Sequence, residues 1–140
     1  MNARESTDLV IAVDGENGIV IARSQARALA RDLGFGMVDQ SRIATAVSEL
    51  TRNIVRYATG GRGEVVIRDV INASNRPGIE IVVSDDGPGI PDINLAMRDG
   101  MSTSSGLGLG LPGTRRLMDE MEIDSGAGRG TVVTIRKWRR

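Results

Sequence analysis

The stretch TAVSELTRNIVRYA, residues 45–58, decides how the chain is read. Ile43, Val47, Leu50, Ile54 and Ala58 recur at helical spacing and make one apolar stripe. The stretch is therefore the middle and end of a helix that starts near Asp39, a residue suited to capping a helix N-terminus. Glu49 and Asn53 stand four apart, one turn above the other on a single flank. At about 100° per residue they lie roughly 40° apart, just beside the stripe. A carboxylate and an amide placed there can reach into a cavity at the edge of the core. The carboxylate can orient an attacking hydroxyl or accept its proton. The amide oxygen is a hard ligand suited to Mg²⁺, which prefers oxygen and keeps most of its waters. The same pair could also be plain solvated polar groups, and the stretches around it decide between the two.

Before this helix, residues 9–13 form a short apolar run that fits a strand, and Asp14-Gly15 and Asn17-Gly18 read as turns. From 19 to 33 the pattern is helical, with Ile19, Ala22, Ala26, Leu29, Ala30 and Leu33 on one face and Gly34 closing the end. Arg23, Arg27 and Arg31 fall four apart on another face. They make either a solvated surface or a docking surface for an acidic partner or a phosphate, with Arg23 the leading candidate. After it, Gly60, Gly61 and Gly63 end the helix. Residues 64–71 and 79–84 read as a hairpin whose loop, 72–78, is rich in turn formers. Residues 91–98 fit a short helix, and 99–113 are rich in Gly and Ser without periodicity. Pro112 is placed as the first position of a helix running to 121. Residues 123–124 and 131–138 read as two last strands around the turn 125–130. No repeat or linker divides the chain. The expected architecture is α+β, one domain over 1–140 with its core at about 9–138. It is a two-layer α/β sandwich, with a mixed, mainly antiparallel sheet covered on one face by helices.

Composition narrows the function. A chain of 140 residues can bury roughly 68% of its unfolded surface, enough for one core. That core is aliphatic, since 40% of residues are hydrophobic but only 2% aromatic. With so few aromatic platforms and a net charge of zero, nucleic acid is not an expected partner. Cysteine and histidine are both absent, which removes thiol and Ser-His-Asp nucleophiles, the usual zinc sites and phosphorylation on His. No apolar run approaches a membrane span and the first residues are polar, unlike a signal peptide. A cytoplasmic protein is expected. Phosphate chemistry with carboxylates, amides and glycines stays open.

Three further stretches can carry that chemistry. Asp85-Asp86-Gly87-Pro88-Gly89 follows a strand. Asp85 can accept a hydrogen bond from an exocyclic amine such as adenine N6, while Gly87 and Gly89 let the backbone pass close to a flat ring. Residues 102–113, STSSGLGLGLPG, can turn the N–H groups around Gly106, Gly108 and Gly110 toward an anion, with a helix N-terminus behind them. The embedded Gly108-x-Gly110-x-x-Gly113 is not a dinucleotide fingerprint, because no strand leads directly into it. It is not a Walker A loop either, because no Gly-Lys-Ser/Thr follows. Thr131, after Gly128-Arg129-Gly130, could donate or accept at the edge of a base.

In this order the signals are specific. Glu-x-x-x-Asn on a helix, Asp-x-Gly-x-Gly, a glycine loop before a helix and a late Gly-Thr together resemble the GHKL (Bergerat) ATP-binding fold of gyrase, Hsp90, histidine kinases and MutL. Closer still, ELTRNIVRYA, DDGPGIPD, GLGLGLPGTRRLMDE and GTVVTIRKW resemble the RsbT-type serine/threonine switch kinases of bacterial stressosomes, relatives of anti-sigma factor kinases. The resemblance implies ATP and Mg²⁺, with Asn53 as the Mg²⁺ ligand and Glu49 as the base or a water-orienting carboxylate. It implies Asp85 as the adenine contact above Gly87 and Gly89, Gly106, Gly108 and Gly110 in the phosphate lid, and Thr131 on the adenine side. Without a histidine, the phosphoryl group must go to another protein. The resemblance implies a Ser or Thr of STAS-domain partners, a PP2C-type phosphatase activated after release, and either a homodimer or a captured subunit. The competing reading is an ATP-gated binding module with little catalysis, like an anti-sigma factor. A large ATP-driven machine does not fit in this length.

Overall fold

Alternation of apolar and polar residues builds the sheet, and two amphipathic helices cover it. The computed structural model describes residues 8–58, 62–89, 97, 110–126 and 128–140. Along the chain these form β1 (Leu9–Val13), α1 (Glu16–Asp32), α2 (Met37–Tyr57), β2 (Gly63–Ile71), β3 (Pro77–Asp85), α3 (Leu111–Leu117), β4 (Glu120–Ser125) and β5 (Thr131–Trp138). The strands make one sheet in the order β1-β2-β3-β5-β4. Every neighbouring pair is antiparallel. The expected α+β sandwich is present, but its sheet is antiparallel throughout the described residues rather than mixed. The α1–α2 hairpin returns the chain beside β1 in the opposite sense, so no parallel crossover is needed.

The core lies between this sheet and the helices. Ile43, Val47, Leu50 and Ile54 of α2 and Ile19, Ala22, Ala26 and Ala30 of α1 are buried against Val65, Ile67, Ile79, Ile81, Val83, Val133 and Ile135. On the opposite face Arg68, Glu80, Arg136 and Glu120 stand in one cross-strand row. Their charges alternate in sign and they pair along the row, Arg68 to Glu80 at 2.9 Å and Arg136 to Glu80 at 2.7 Å. Opposite charges set directly across strands stabilise that register.

The strands β2, β3 and β4 run longer than expected, and three helix ends also differ from the sequence reading. First, α1 begins at Glu16, so Asn17 and Gly18 lie inside it. Gly18 is there because the helix crosses β1 closely: a Cβ on it would stand 2.8 Å from Val13 Cα and 3.0 Å from Ala12 O. Gly to Ala in an open helix position stabilises by about 0.5–1 kcal/mol, whereas overpacking costs about 1–3 kcal/mol. The contact with β1 decides the sign. Gly18→Ala is expected to destabilise the fold by about 1–2 kcal/mol, measured as a lower urea midpoint with unchanged slope; a stabilised variant would contradict the packing.

Second, α2 begins at Met37 after an extended Gly36, so Asp39 sits in the first turn and does not cap. Its carboxylate accepts from Arg42 Nη1 at 2.9 Å and stands 3.9 Å from Lys137 Nζ. Third, α3 ends at Leu117 rather than 121. Lys137, buried on the inner face of β5, donates to the Leu117 carbonyl at 2.8 Å. The Asp119 N–H is already donated to the Arg136 carbonyl at 3.0 Å, so the chain is taken up by the sheet from there. Residues 91–96 and 98–109, including most of the expected short helix and the glycine loop, lie outside the described residues. Among the described residues, no helix is long and apolar enough to cross a membrane.

Candidate functional site

The site begins where the apolar rows of the sheet stop. Facing the helices, Ile67, Ile81 and Ile135 form one cross-strand row and Val65, Val83 and Val133 the next. The row after that is Gly63, Asp85, Thr131 and Ser125. The strand register thus sets Asp85 and Thr131 directly opposite each other at the end of the core. α2 covers this end closely, since a Cβ on Gly63 would lie 2.9 Å from both Ile54 Cδ1 and Cγ2. Asn53, half-buried, precedes Ile54 on the same helix.

Asp85 accepts the Gly87 N–H on Oδ1 at 2.7 Å. Burial pushes its carboxyl above the usual aspartate range; the Gly87 bond works the other way, and the neighbouring Asp86 charge adds to the rise. Ser125 Oγ donates to the Gly130 carbonyl at 2.9 Å and lies 2.8 Å from Thr131 Oγ1. With the Ser125 proton on that carbonyl, the Thr131 hydroxyl donates to Ser125 and keeps its own lone pairs as acceptors. Asp85 and Thr131 then form a pair of acceptors.

The loop after β3 is laced to the β4–β5 turn by backbone contacts. The Gly128 N–H donates to the Pro88 carbonyl at 2.8 Å. A Cβ on Gly89, at φ 82°, would lie 2.0 Å from Gly126 O, and one on Gly130, at φ 78°, would lie 2.2 Å from Asp85 O. No side chain fits at either position, so Gly89 of DDGPG and Gly130 of the β4–β5 turn are required by backbone packing. Gly87 itself is buried.

Glu49 makes a second grouping, with Arg52 and Gly110. It is half-buried on α2, and Arg52 Nη1 donates to its Oε2 at 2.6 Å. Its Oε1 lies against Gly110, where a Cβ would stand 2.8 Å away. Gly110, at φ 66°, is the residue that precedes α3, and its carbonyl accepts from both the N–H and the hydroxyl of Thr114 at 2.9 Å. The structure therefore joins Glu49 to Gly110 and Asp85 to Thr131. Gly106 and Gly108 lie outside the described residues. Arg23 is exposed on α1 and joins neither group. Two residues absent from the sequence reading belong here: Arg52, whose signal was an opposite charge three residues after Glu49, and Ser125, whose pairing to Thr131 only the strand register reveals.

A paired acceptor at a sheet end and a carboxylate facing the start of a helix suit a nucleotide and its phosphates. The family model for the histidine kinase-, DNA gyrase B-, and HSP90-like ATPase matches residues 38–140, so the domain is an ATP-binding one. The chain is 53% identical to serine/threonine-protein kinase RsbT of Bacillus subtilis (strain 168), across 87% of this chain and 90% of that protein. It is 33% identical to the anti-sigma F factor of Caldanaerobacter subterraneus subsp. tengcongensis, across 84% of this chain and 82% of the relative. Among solved structures, the RsbU and RsbW domains of Rv1364c from Mycobacterium tuberculosis superpose with a TM-score of 0.64 at 25% identity. That match covers 96% of this chain and 33% of the other. The chain belongs to the RsbT family of serine/threonine-protein kinases, within the histidine kinase-, DNA gyrase B- and HSP90-like ATPases.

Proposed function

We propose that this chain, as one catalytic domain, transfers the γ-phosphoryl group of ATP to a Ser or Thr of STAS-domain partner proteins. It would act in the cytoplasm as a stressosome switch that activates a PP2C-type phosphatase once released. The observation that supports this reading best is the Glu49 carboxylate, anchored on one oxygen by Arg52 and turned with the other toward Gly110. In the proposed reaction Glu49 takes the proton of the acceptor hydroxyl. The acceptor oxygen bonds to the γ-phosphorus, and the bond from that phosphorus to the β–γ bridging oxygen breaks, leaving ADP. Asp85 and Thr131 offer two acceptors to the adenine amine, which favours adenine over guanine, whose corresponding atom is itself an acceptor.

The donor set suits Mg²⁺. The Asn53 amide oxygen, one turn beyond Glu49 on α2, is a hard ligand of the kind that completes a shell made mostly of water and phosphate. When bound, the ion neutralises charge on the transferring phosphoryl group. Gly106, Gly108 and Gly110 are assigned to the loop over the phosphates, and Arg23 to partner contact.

The test is transfer of labelled γ-phosphate from Mg-ATP to a purified STAS-domain protein from the same genome. Transfer is expected, and Arg23→Ala should raise the KM for the acceptor without changing that for ATP. The likeness to anti-sigma F factors supports a second reading, an ATP-gated binding module. ATP-dependent binding of the STAS protein without transfer would select it.

A further inference from the structure

We infer that Arg52 is a positioning residue for phosphoryl transfer: it holds one oxygen of Glu49 so that the other faces the start of α3. This rests on the proposed role of Glu49. The two side chains lie three residues apart on α2, so they meet without any backbone adjustment. Both are about one-third to two-fifths exposed, at 34% and 42%. Ion pairs this open to water contribute little to folding, so the pairing is not explained by stability.

What it does is restrict the carboxylate. A glutamate has three rotatable bonds, and an unanchored one spreads over several rotamers. The two neighbouring hydroxyls are turned elsewhere: Ser48 donates to the Ala44 carbonyl at 2.9 Å and Thr51 to the Val47 carbonyl at 2.7 Å. Arg52 Nη1, by contrast, donates to Glu49 Oε2 at 2.6 Å. The held rotamer places Oε1 at Gly110, where any side chain would collide with it. A general base must sit within hydrogen-bond reach of the proton that it takes, and a displacement of about 1 Å can cost about 100-fold.

The experiment is a double-mutant cycle on phosphoryl transfer with Arg52→Ala, Glu49→Gln and both together, alongside binding of a non-hydrolysable ATP analogue. Arg52→Ala is expected to lower kcat by about 10- to 100-fold while analogue affinity and the KM for ATP stay within about twofold. Arg52→Lys, which keeps a donor at that site, should recover part of the loss. In the Glu49→Gln background, Arg52→Ala should have no further effect, because the residue acts through the carboxylate. Additive losses would overturn the inference and leave Glu49 as the base. Loss of analogue binding in Arg52→Ala would also overturn it, by making Arg52 a nucleotide contact. A fully active Glu49→Gln enzyme would bring down the base itself, and the role of Arg52 with it.

Discussion

Glu49→Gln is expected to lower phosphoryl transfer by about 10²–10⁴-fold, the usual worth of a general base, and to leave ATP affinity within about twofold. The substitution keeps the size and one oxygen of the side chain, so the contact with Arg52 and the place beside Gly110 can be retained. What is lost is the basic oxygen. Asp85 and Thr131, the residues proposed to contact the base, are on different elements and are untouched. Single-turnover transfer of labelled phosphate, with equilibrium binding of ATP measured in parallel, separates the two effects. Transfer by the variant at near the wild-type rate would remove Glu49 from the chemistry.

Asp85→Asn is expected to weaken ATP by about 10- to 100-fold, the range set by losing a hydrogen bond to a charged group, and to erase the preference for ATP over GTP. The direction follows from the Gly87 contact. Asp85 Oδ1 is committed to the Gly87 N–H. An asparagine that keeps this bond with its oxygen turns an NH₂ donor toward the base. That donor opposes the adenine amine and suits the guanine carbonyl. Acid should act on the wild type in the same sense, because protonation of Asp85 falls on its other oxygen and removes an acceptor. Burial raises this carboxyl above its usual range, so ATP affinity should start to fall at a higher pH than an ordinary aspartate would give. The asparagine variant should lack that acid limb. Equal affinity for the two nucleotides in wild type and variant, or an identical acid limb in both, would sink the assignment.

Much of the fold was legible because its signals are local. The stripe Ile43, Val47, Leu50 and Ile54 is buried as its spacing required. The alternation in residues 131–138 puts Val133 and Ile135 in the core. The misreadings came from residues whose place is decided by contact with another element. Asn17-Gly18 carries the dipeptide of a turn, yet Gly18 is a helix residue that lets α1 lie on β1. Asp39 has the chemistry of a cap, yet it faces Arg42 and the buried Lys137 of the last strand. The helix from Pro112 stops at Leu117 rather than 121 because the pairing of Glu120 with Arg136 competes for its last residues.

The same division holds for the site. Sequence alone determined the elements and the residue types that carry chemistry: a carboxylate and an amide one turn apart, an aspartate closing a strand, glycines in the turns. Helical period, strand period and turn chemistry depend on near neighbours, so they can be read from the chain. Tertiary structure decided which of these groups meet. Asp85 faces Thr131 only through the register of β3 with β5, and Thr131 is oriented only through its bond to Ser125 on β4. Glu49 reaches Gly110 only because α3 is seated beside α2. Strand register and helix docking are set by how the whole apolar core packs, and no local pattern contains that information.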